Sequence, residues 1–444
     1  MTASTSTSKF EQVTGLIQNN FRMLLNAATL VGTMVLNAVM GFAFWWVAAQ
    51  YYDQAAIGIA TAASSAMLVL AEIGVLGLTT YMVGAVPKRP KEVASLVFTG
   101  MIISFVSAGI VGLVFAGILP LFSEDLNVLN AGWVNIALFM LGVSLTSSGL
   151  VVDHAMVGLN KGEYQLWRNL FFSFVRLLAV AFVALMLDRR TPLDIFGAWV
   201  VAAAISLAIV PLIAFVRGLR WQALQFDRSI VKSLGGEVLA HHVLNLSFLG
   251  PAMAIPTLAV ILISAEAAAL FYLAWMFTTM ILVVPYALST SLYGAASESP
   301  ESLVQRMRVS IAVSTLSGIV ANIVLYIVGE PIMALFGAEY IDAVPLLRIL
   351  ALTAFPAILG VMYSAVVRIY DEMVKGAIIM VFGAALNIGG IIIGAQVGGA
   401  IGMAWGYVIS TAIVALTTSP MVLSVALGRR EPPADFDADN MISV

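Results

Sequence analysis

Arg176 is the one charge in FFSFVRLLAVAFVALML, the stretch from Phe171 to Leu187. A guanidinium donates two parallel hydrogen bonds to one phosphate or carboxylate and holds its proton at any physiological pH. Asn169 and Ser173 precede Arg176 by seven and three residues, which puts all three on one helical face. Glu72 is the counterpart of opposite sign, in a stretch where Thr61, Ser65 and Thr79 share its face. A carboxylate in apolar surroundings can take up a proton or a sodium ion. Two readings are open. In one, Arg176 meets an anionic ligand and Glu72 couples a cation. In the other, they pair structurally with each other.

The remaining polar groups come in small sets. Asp153–His154 and His241–His242 hold every histidine of the chain. Histidine titrates near neutrality, so they are read either as a proton-sensing gate or as ordinary interfacial polar residues. Adjacent helical histidines diverge by about 100°, so a shared metal is not expected. Tyr272, Thr279, Tyr286 and Tyr293 recur every seven residues, a face that suits sugar rings or a packing seam equally. Asn37 continues a stripe from Thr29 and Thr33, and is read as a cavity-lining residue. Asn245 sits in a run with Pro251 and Pro256, which remove backbone bonds and bend a helix. Arg348 and Arg368 are expected to snorkel to opposite membrane faces.

These residues need elements to hold them. Of 444 residues 61% are hydrophobic and 10% charged, with mean hydropathy +1.01. Soluble domains run near half apolar and a quarter charged, so this is an integral membrane protein. Runs of roughly 20 apolar residues fit spanning helices, and no barrel-type alternation occurs. Twelve spans are predicted, at 24–50, 55–84, 94–119, 131–158, 166–187, 194–216, 237–263, 267–294, 306–329, 344–368, 374–394 and 399–424. With these spans, 17 Lys and Arg fall on one side and 3 on the other. The positive-inside rule then places both termini in the cytoplasm. Residues 1–23 are expected to form a tail with an interfacial amphipathic helix, and no cleaved signal peptide is expected. The polar tail 428–444 is expected to be disordered. No cysteine occurs, which excludes disulfide and thiol chemistry.

The chain also repeats. LFSED at Leu121 and LFGAE at Leu335 lie 214 residues apart, as do Lys161-Gly162 and Lys375-Gly376. GAWVVAAAIS at Gly197 resembles MAWGYVISTA at Met403, offset by 206. Six spans per half make parallel repeats related by an axis along the membrane normal. The expected organisation is a lobe at 24–216, a cytoplasmic linker at 217–236 and a second lobe at 237–427. No nucleotide-binding loop, metal-ligand spacing or nucleophile constellation occurs, so neither an enzyme nor an ATP-driven pump is expected.

Two stretches carry a family likeness. The segment LFGAEYIDAVPLLRILALTAFPAILGVMYSAVVRIYDEMVKGAIIMVFGAALNIGGIIIGAQVGGAIGMAWGYVIS resembles the C-terminal half of the polysaccharide transporters, or O-antigen-type oligosaccharide flippases. These belong to the multidrug/oligosaccharidyl-lipid/polysaccharide exporter superfamily. QYYDQAAIGIATAASSAMLVLAEIGVLGLTTYMVGAV is similar to their second span. The likeness covers about Asn20 to Leu427, in Gly, Ala and apolar positions. It implies an all-α, V-shaped, two-lobed carrier with a central cavity in a prokaryotic cytoplasmic membrane. It also implies a glycan on undecaprenyl pyrophosphate as cargo, moved to the outer leaflet by alternating access. Relatives that move peptidoglycan precursor have fourteen spans; this chain has twelve. On this reading Arg176, Asn169, Ser173, Asn37, Asn245, Tyr272 and Tyr286 line the cavity, and Glu72 couples a proton or sodium ion. Asp153, His154, His241 and His242 would form a cytoplasmic gate. Expected partners are the lipid-linked glycan, membrane lipids and glycan-assembly proteins, with no nucleic acid and no cofactor, the chain acting as a monomer. Two alternatives remain: a cation-coupled multidrug exporter and, disfavoured for want of a sizeable loop, a membrane glycosyltransferase or glycan polymerase.

Overall fold

The computed structural model describes residues 36–159, 161–186, 190–216, 225–234, 237–298 and 300–430. The expected amphipathic helix, the start of the first span with Thr29 and Thr33, linker residues 217–224 and 235–236, and the tail from 431 lie outside them.

The described residues are nearly all helical. The first half comprises α1 (36–51), α2 (Gln54–Gly74), α3 (Leu78–Lys88), α4 (Val93–Ile118), α5 (Trp133–Gly158), α6 (Gly162–Met186) and α7 (Pro192–Val216). A short α8 (Arg228–Ser233) lies in the linker. The second half comprises α9 (Glu237–Leu262), α10 (Ala265–Ile281), α11 (Val283–Glu298), α12 (Pro300–Ala334), α13 (Val344–Ala351), α14 (Ala354–Ile369) and α15 (Met373–Ala426). Among the described residues nine helices are long and apolar enough to cross a bilayer, and ten if the pair around Leu352, bent by 48°, is one span. α15 contains both of the last two predicted spans, and α1 is the end of the first. The two six-helix halves of the sequence analysis are therefore the architecture observed.

The boundaries differ where backbone chemistry intervenes. The second predicted span is broken: Leu76 and Gly77 both take positive φ, at 53° and 78°, and separate α2 from α3. Only glycine adopts such angles freely, so Leu76 marks a constrained joint. The eighth span is likewise interrupted at Leu282. α9, by contrast, continues through Pro251 and Pro256. The last two spans meet at a tight corner, where Gly399 has φ 56°. A methyl group on Gly394 or Gly402 would overlap the other's carbonyl oxygen. Small residues let helix backbones touch in a membrane, and here they form a closed glycine hairpin.

The repeat is visible in the structure. A six-residue 3-10 turn follows each LF motif, at Asp125–Asn130 and at Ala338–Ala343. Each leads directly into the next spanning segment.

α2 bridges the halves. It packs on α4, α5 and α7 of its own half and on α9 and α10 of the other. Thr257 donates to the Ala62 carbonyl at 2.8 Å, and Ser65 donates to the Met253 carbonyl. Gly58 abuts Ala265 so closely that a side chain there would strike its carbonyl. Asp53 starts α2 by accepting the Ala56 N–H at 2.6 Å, which satisfies an otherwise orphaned donor.

The linker is docked on the first half. Its Asp227 N–H donates to Thr99 Oγ1 at 2.8 Å, and Asp227 pairs with Arg89 at 2.9 Å. Ile230 is buried beside Val75, Leu78, Met82 and Leu96. Hydrogen bonds from Ser229 and the adjacent Arg89 guanidinium hold the Asp227 carboxyl below the usual carboxylate range. This face, with Lys88, Arg89 and Lys161, is the basic side; the face with Asp53, Glu339 and Arg348 is the opposite side.

Candidate functional site: two neighbouring cavities

Arg176 is buried, and no carboxylate meets it. Its guanidinium lies over three aromatic rings: Trp199 of α7 at 4.3 Å, Phe44 of α1 at 4.5 Å and Phe172 of α6 at 5.3 Å. Each such stack contributes about 0.5–2 kcal/mol, more as water is excluded. The rings hold the cation in place, yet they satisfy none of its N–H donors. Nε is buried with no hydrogen-bond partner, and among the described residues Arg176 forms no ion pair. The alternative of an Arg176–Glu72 pair is therefore corrected: the pair does not form.

The guanidinium lines a cavity of about 260 Å³ between the halves. Asn37, Ala38, Gly41 and Trp45 of α1 form one wall, and Tyr272, Met276 and Thr279 of α10 the facing one. On the opposite side the cavity ends at Trp45, whose indole N–H donates to the Tyr272 hydroxyl at 2.9 Å. Further contacts join the halves beside that bond. Phe42 packs on Phe336 and Phe277, with ring centroids 5.1 and 6.2 Å apart. Trp46 donates to the Leu335 carbonyl at 2.9 Å. From Trp45 and Tyr272 the lining continues along both helices toward Asn37 and Val283, in the direction of the basic side.

Two expected cavity residues stand together: Ser173 Oγ donates to Asn37 Oδ1 at 3.5 Å, tying α6 to α1. Two others lie elsewhere. Asn169 donates to Asp153 Oδ2 at 3.2 Å and accepts from Arg168. Asn245 Oδ1 accepts from Arg368 at 2.6 Å. Both amides serve buried or half-buried arginines, which the face-sharing argument did not register. Asp153 is itself buried, not interfacial. Arg168 grips it through both oxygens, at 2.7 and 2.5 Å, which makes a bidentate pair.

The proposed gate residues spread over different contacts. His154 Nδ1 donates to the Leu150 carbonyl of its own helix at 2.8 Å. Glu72 is half-buried on α2 and has no ion pair among the described residues. His242 is buried beside Gly77 at the joint between α2 and α3, and its Nδ1 has no hydrogen-bond partner among the described residues. His241 faces away, toward Arg368 and Asp371. The two histidines diverge as expected for neighbours in a helix. Among the described residues no group of three His, Asp or Glu side chains gathers to hold a metal.

A second cavity, about 400 Å³, lies inside the second half. Its walls come from α9, α10, α11, α14 and both arms of α15, and include Trp275, Tyr286, Asn387, Tyr407 and Thr411. Thr279 lines both cavities. The seven-residue stripe thus contributes to both: Tyr272 to the first, Thr279 to each, Tyr286 to the second. The side chain of Tyr293 is not among those described.

The sequence reading did not find the ring cage or the second cavity. Phe172 precedes Arg176 by four residues and was legible as a same-face neighbour; Phe44 and Trp199 come from other helices and carry no such local signal.

No protein-family model matches the chain, and no curated protein matches it. Solved structures do. An inward-facing multidrug resistance MATE family transporter of the MOP superfamily matches with TM-score 0.70 and 16% identity, over 88% of this chain and 95% of that one. An outward-facing MATE family transporter gives TM-score 0.60 and 15% identity, over 89% and 94%. A MOP superfamily transporter from Pyrococcus furiosus, described by the reverse polarity of its binding pocket, gives 0.60 and 15% over 90% and 94%. The chain therefore has the fold of the MATE transporter structures of the MOP superfamily.

Proposed function

We propose that this protein is an alternating-access transporter for a phosphate-headed, anionic amphipath, and specifically a flippase for polyprenyl-pyrophosphate-linked oligosaccharides. One observation carries the reading: a buried guanidinium with no carboxylate partner, caged by rings, on the wall of the cavity between the halves. An uncompensated buried cation is costly, and an arriving phosphate would supply both its counter-charge and its missing acceptors. A cavity that ends at Trp45–Tyr272 and is lined toward the basic side suits loading from the cytoplasm. That assignment follows from the loop charges, which support an inner-membrane chain with both termini cytoplasmic. Glu72, a half-buried carboxylate of α2 with no ion pair among the described residues, is proposed as the coupling group. Glycan-assembly proteins are the proposed partners, and the monomer the working unit.

A second reading, a multidrug exporter, is favoured by the names of the solved structures that share the fold. Arg176 speaks against cationic drugs in the first cavity. The test is a proteoliposome assay with a fluorescent polyprenyl-pyrophosphate glycan, read as the fraction reaching the other leaflet. Flipping by the intact chain and its loss in Arg176→Gln support the proposal. No flipping, with protection of cells from cationic dyes instead, supports the exporter. An imposed proton or sodium gradient should change the rate, and Glu72→Gln should abolish that response.

A further inference from the structure

The second cavity differs in chemistry from the first. Among the described residues no Asp, Glu, Lys, Arg or His lines it. A phosphate would find no cation there, and a cationic drug no counter-charge. Yet it is rich in hydrogen-bonding groups. Asn387 Oδ1 accepts from Thr411 at 3.3 Å, while its Nδ2 has no partner among the described residues. The Tyr286 hydroxyl likewise has none.

Acceptors come from the prolines. A proline has no N–H to give the carbonyl four residues back. Pro251 and Pro256 therefore leave the Ser247 and Ala252 carbonyls without their helical donors, and both residues line this cavity. The walls also carry rings: Trp275 meets Tyr407 edge-on at 5.4 Å, and Phe248 meets Tyr286 at 6.3 Å. Flat apolar faces beside mixed donors and acceptors, without charge, fit a pyranose ring, which offers C–H faces and many hydroxyls. The volume lies within the range of small-molecule sites, about 300–1,000 Å³.

We propose that the second-half cavity is a carbohydrate subsite that takes uncharged pyranose rings of the same molecule whose anionic head meets Arg176, the two parts passing at Thr279. This rests on the phosphate-headed amphipath reading above and adds where the sugar goes. It also gives the prolines of α9 a role, since they free the carbonyls of two lining residues while the helix stays continuous.

The test uses the full chain in nanodiscs and two probes, a polyprenyl phosphate and the same lipid carrying one glucose on its phosphate. Two added hydrogen bonds should make the glucosylated lipid bind about tenfold tighter to the unaltered chain. That ratio should fall to about threefold in Asn387→Leu and in Tyr286→Phe, the latter removing only a hydroxyl, and toward one in the double variant. Arg176→Gln should weaken both lipids in parallel and keep the ratio. Thermal unfolding of each variant identifies any that fails to fold, and Thr411→Val then replaces it. The inference is overturned if the bare lipid binds and glucose adds nothing, or if the ratio survives in the cavity variants. If the bare lipid itself does not bind, the amphipath reading falls and takes this subsite with it.

Discussion

Trp45 donates its indole N–H to the Tyr272 hydroxyl at 2.9 Å, with the two rings 4.8 Å apart. This contact joins the first half to the second at the point where the Arg176 cavity ends. It is one hydrogen bond over an aromatic contact, strong enough to bias a conformation and weak enough to break in a transport cycle.

Removing that bond should therefore shift a population. Trp45→Phe forfeits about 0.5–1.5 kcal/mol, which is roughly a two- to tenfold change in the ratio of states. The chain contains no cysteine, so a single cysteine at Met276 reports access without background. Labelling by an impermeant maleimide from the opposite side should rise severalfold in Trp45→Phe. Unchanged labelling would mean that the Phe42, Phe277 and Phe336 contacts suffice to hold the halves together.

Gly41 offers a graded probe of the head site. A methyl group there would sit 4.0 Å from the Arg176 Nη2, ordinary contact distance. Gly41→Ala should keep transport within about twofold, since a 4 Å contact costs little. Gly41→Leu should cover the guanidinium and stop flipping while membrane levels stay normal. Equal activity of the two variants would show that cargo does not approach Arg176 from this face.

Arg176→Met separates binding from stability. A cation without an ion pair is a poor stabiliser, and replacing buried charge by packed apolar volume is often neutral or stabilising. Methionine keeps the ring contacts through its sulfur. The melting temperature should hold or rise, whereas head-group binding should fall about tenfold to a hundredfold, the worth of a charged hydrogen bond of about 1.5–3 kcal/mol. A melting temperature lowered together with unchanged binding would make Arg176 structural.

Much of this was legible in the chain. Apolar runs, loop charges and the LF repeats sufficed for two halves of six spans, because bilayer thickness dictates length and a duplicated half repeats its turns. Arg176, Asn37, Tyr272 and Tyr286 were recognisable as polar residues that lipid would not tolerate. What sequence could not supply was partnership across helices. Asn169 shares a face with Arg176, yet the stronger donor beside it, Arg168, draws it to Asp153. Asn245 is taken by Arg368 in the same way. The breaks at Leu76–Gly77 and Leu282 were hidden because hydropathy continues smoothly across them. The second cavity escaped notice because no charge marks it.

The linker carries a pH dependence. Asp227 is held below the usual carboxylate range in the folded chain. A depressed carboxylate contributes stability above its unfolded value and loses it as pH falls through the folded one. Hydrogen-exchange protection of residues 225–233 should thus be full at neutral pH and decline on acidification below the ordinary carboxylate range. In Asp227→Asn it should be low at neutral pH and flat across that range. A wild-type profile as flat as the variant's would show that Ile230 packing alone docks the segment.

The central claim is that the lone guanidinium meets an anionic lipid head. Native mass spectrometry of the chain released from its own membrane, beside Arg176→Gln prepared identically, tests this most directly. The account predicts a bound polyprenyl phosphate or pyrophosphate species on the unaltered chain and its absence from the variant. The same lipid retained on both, or no anionic lipid on either, would contradict it.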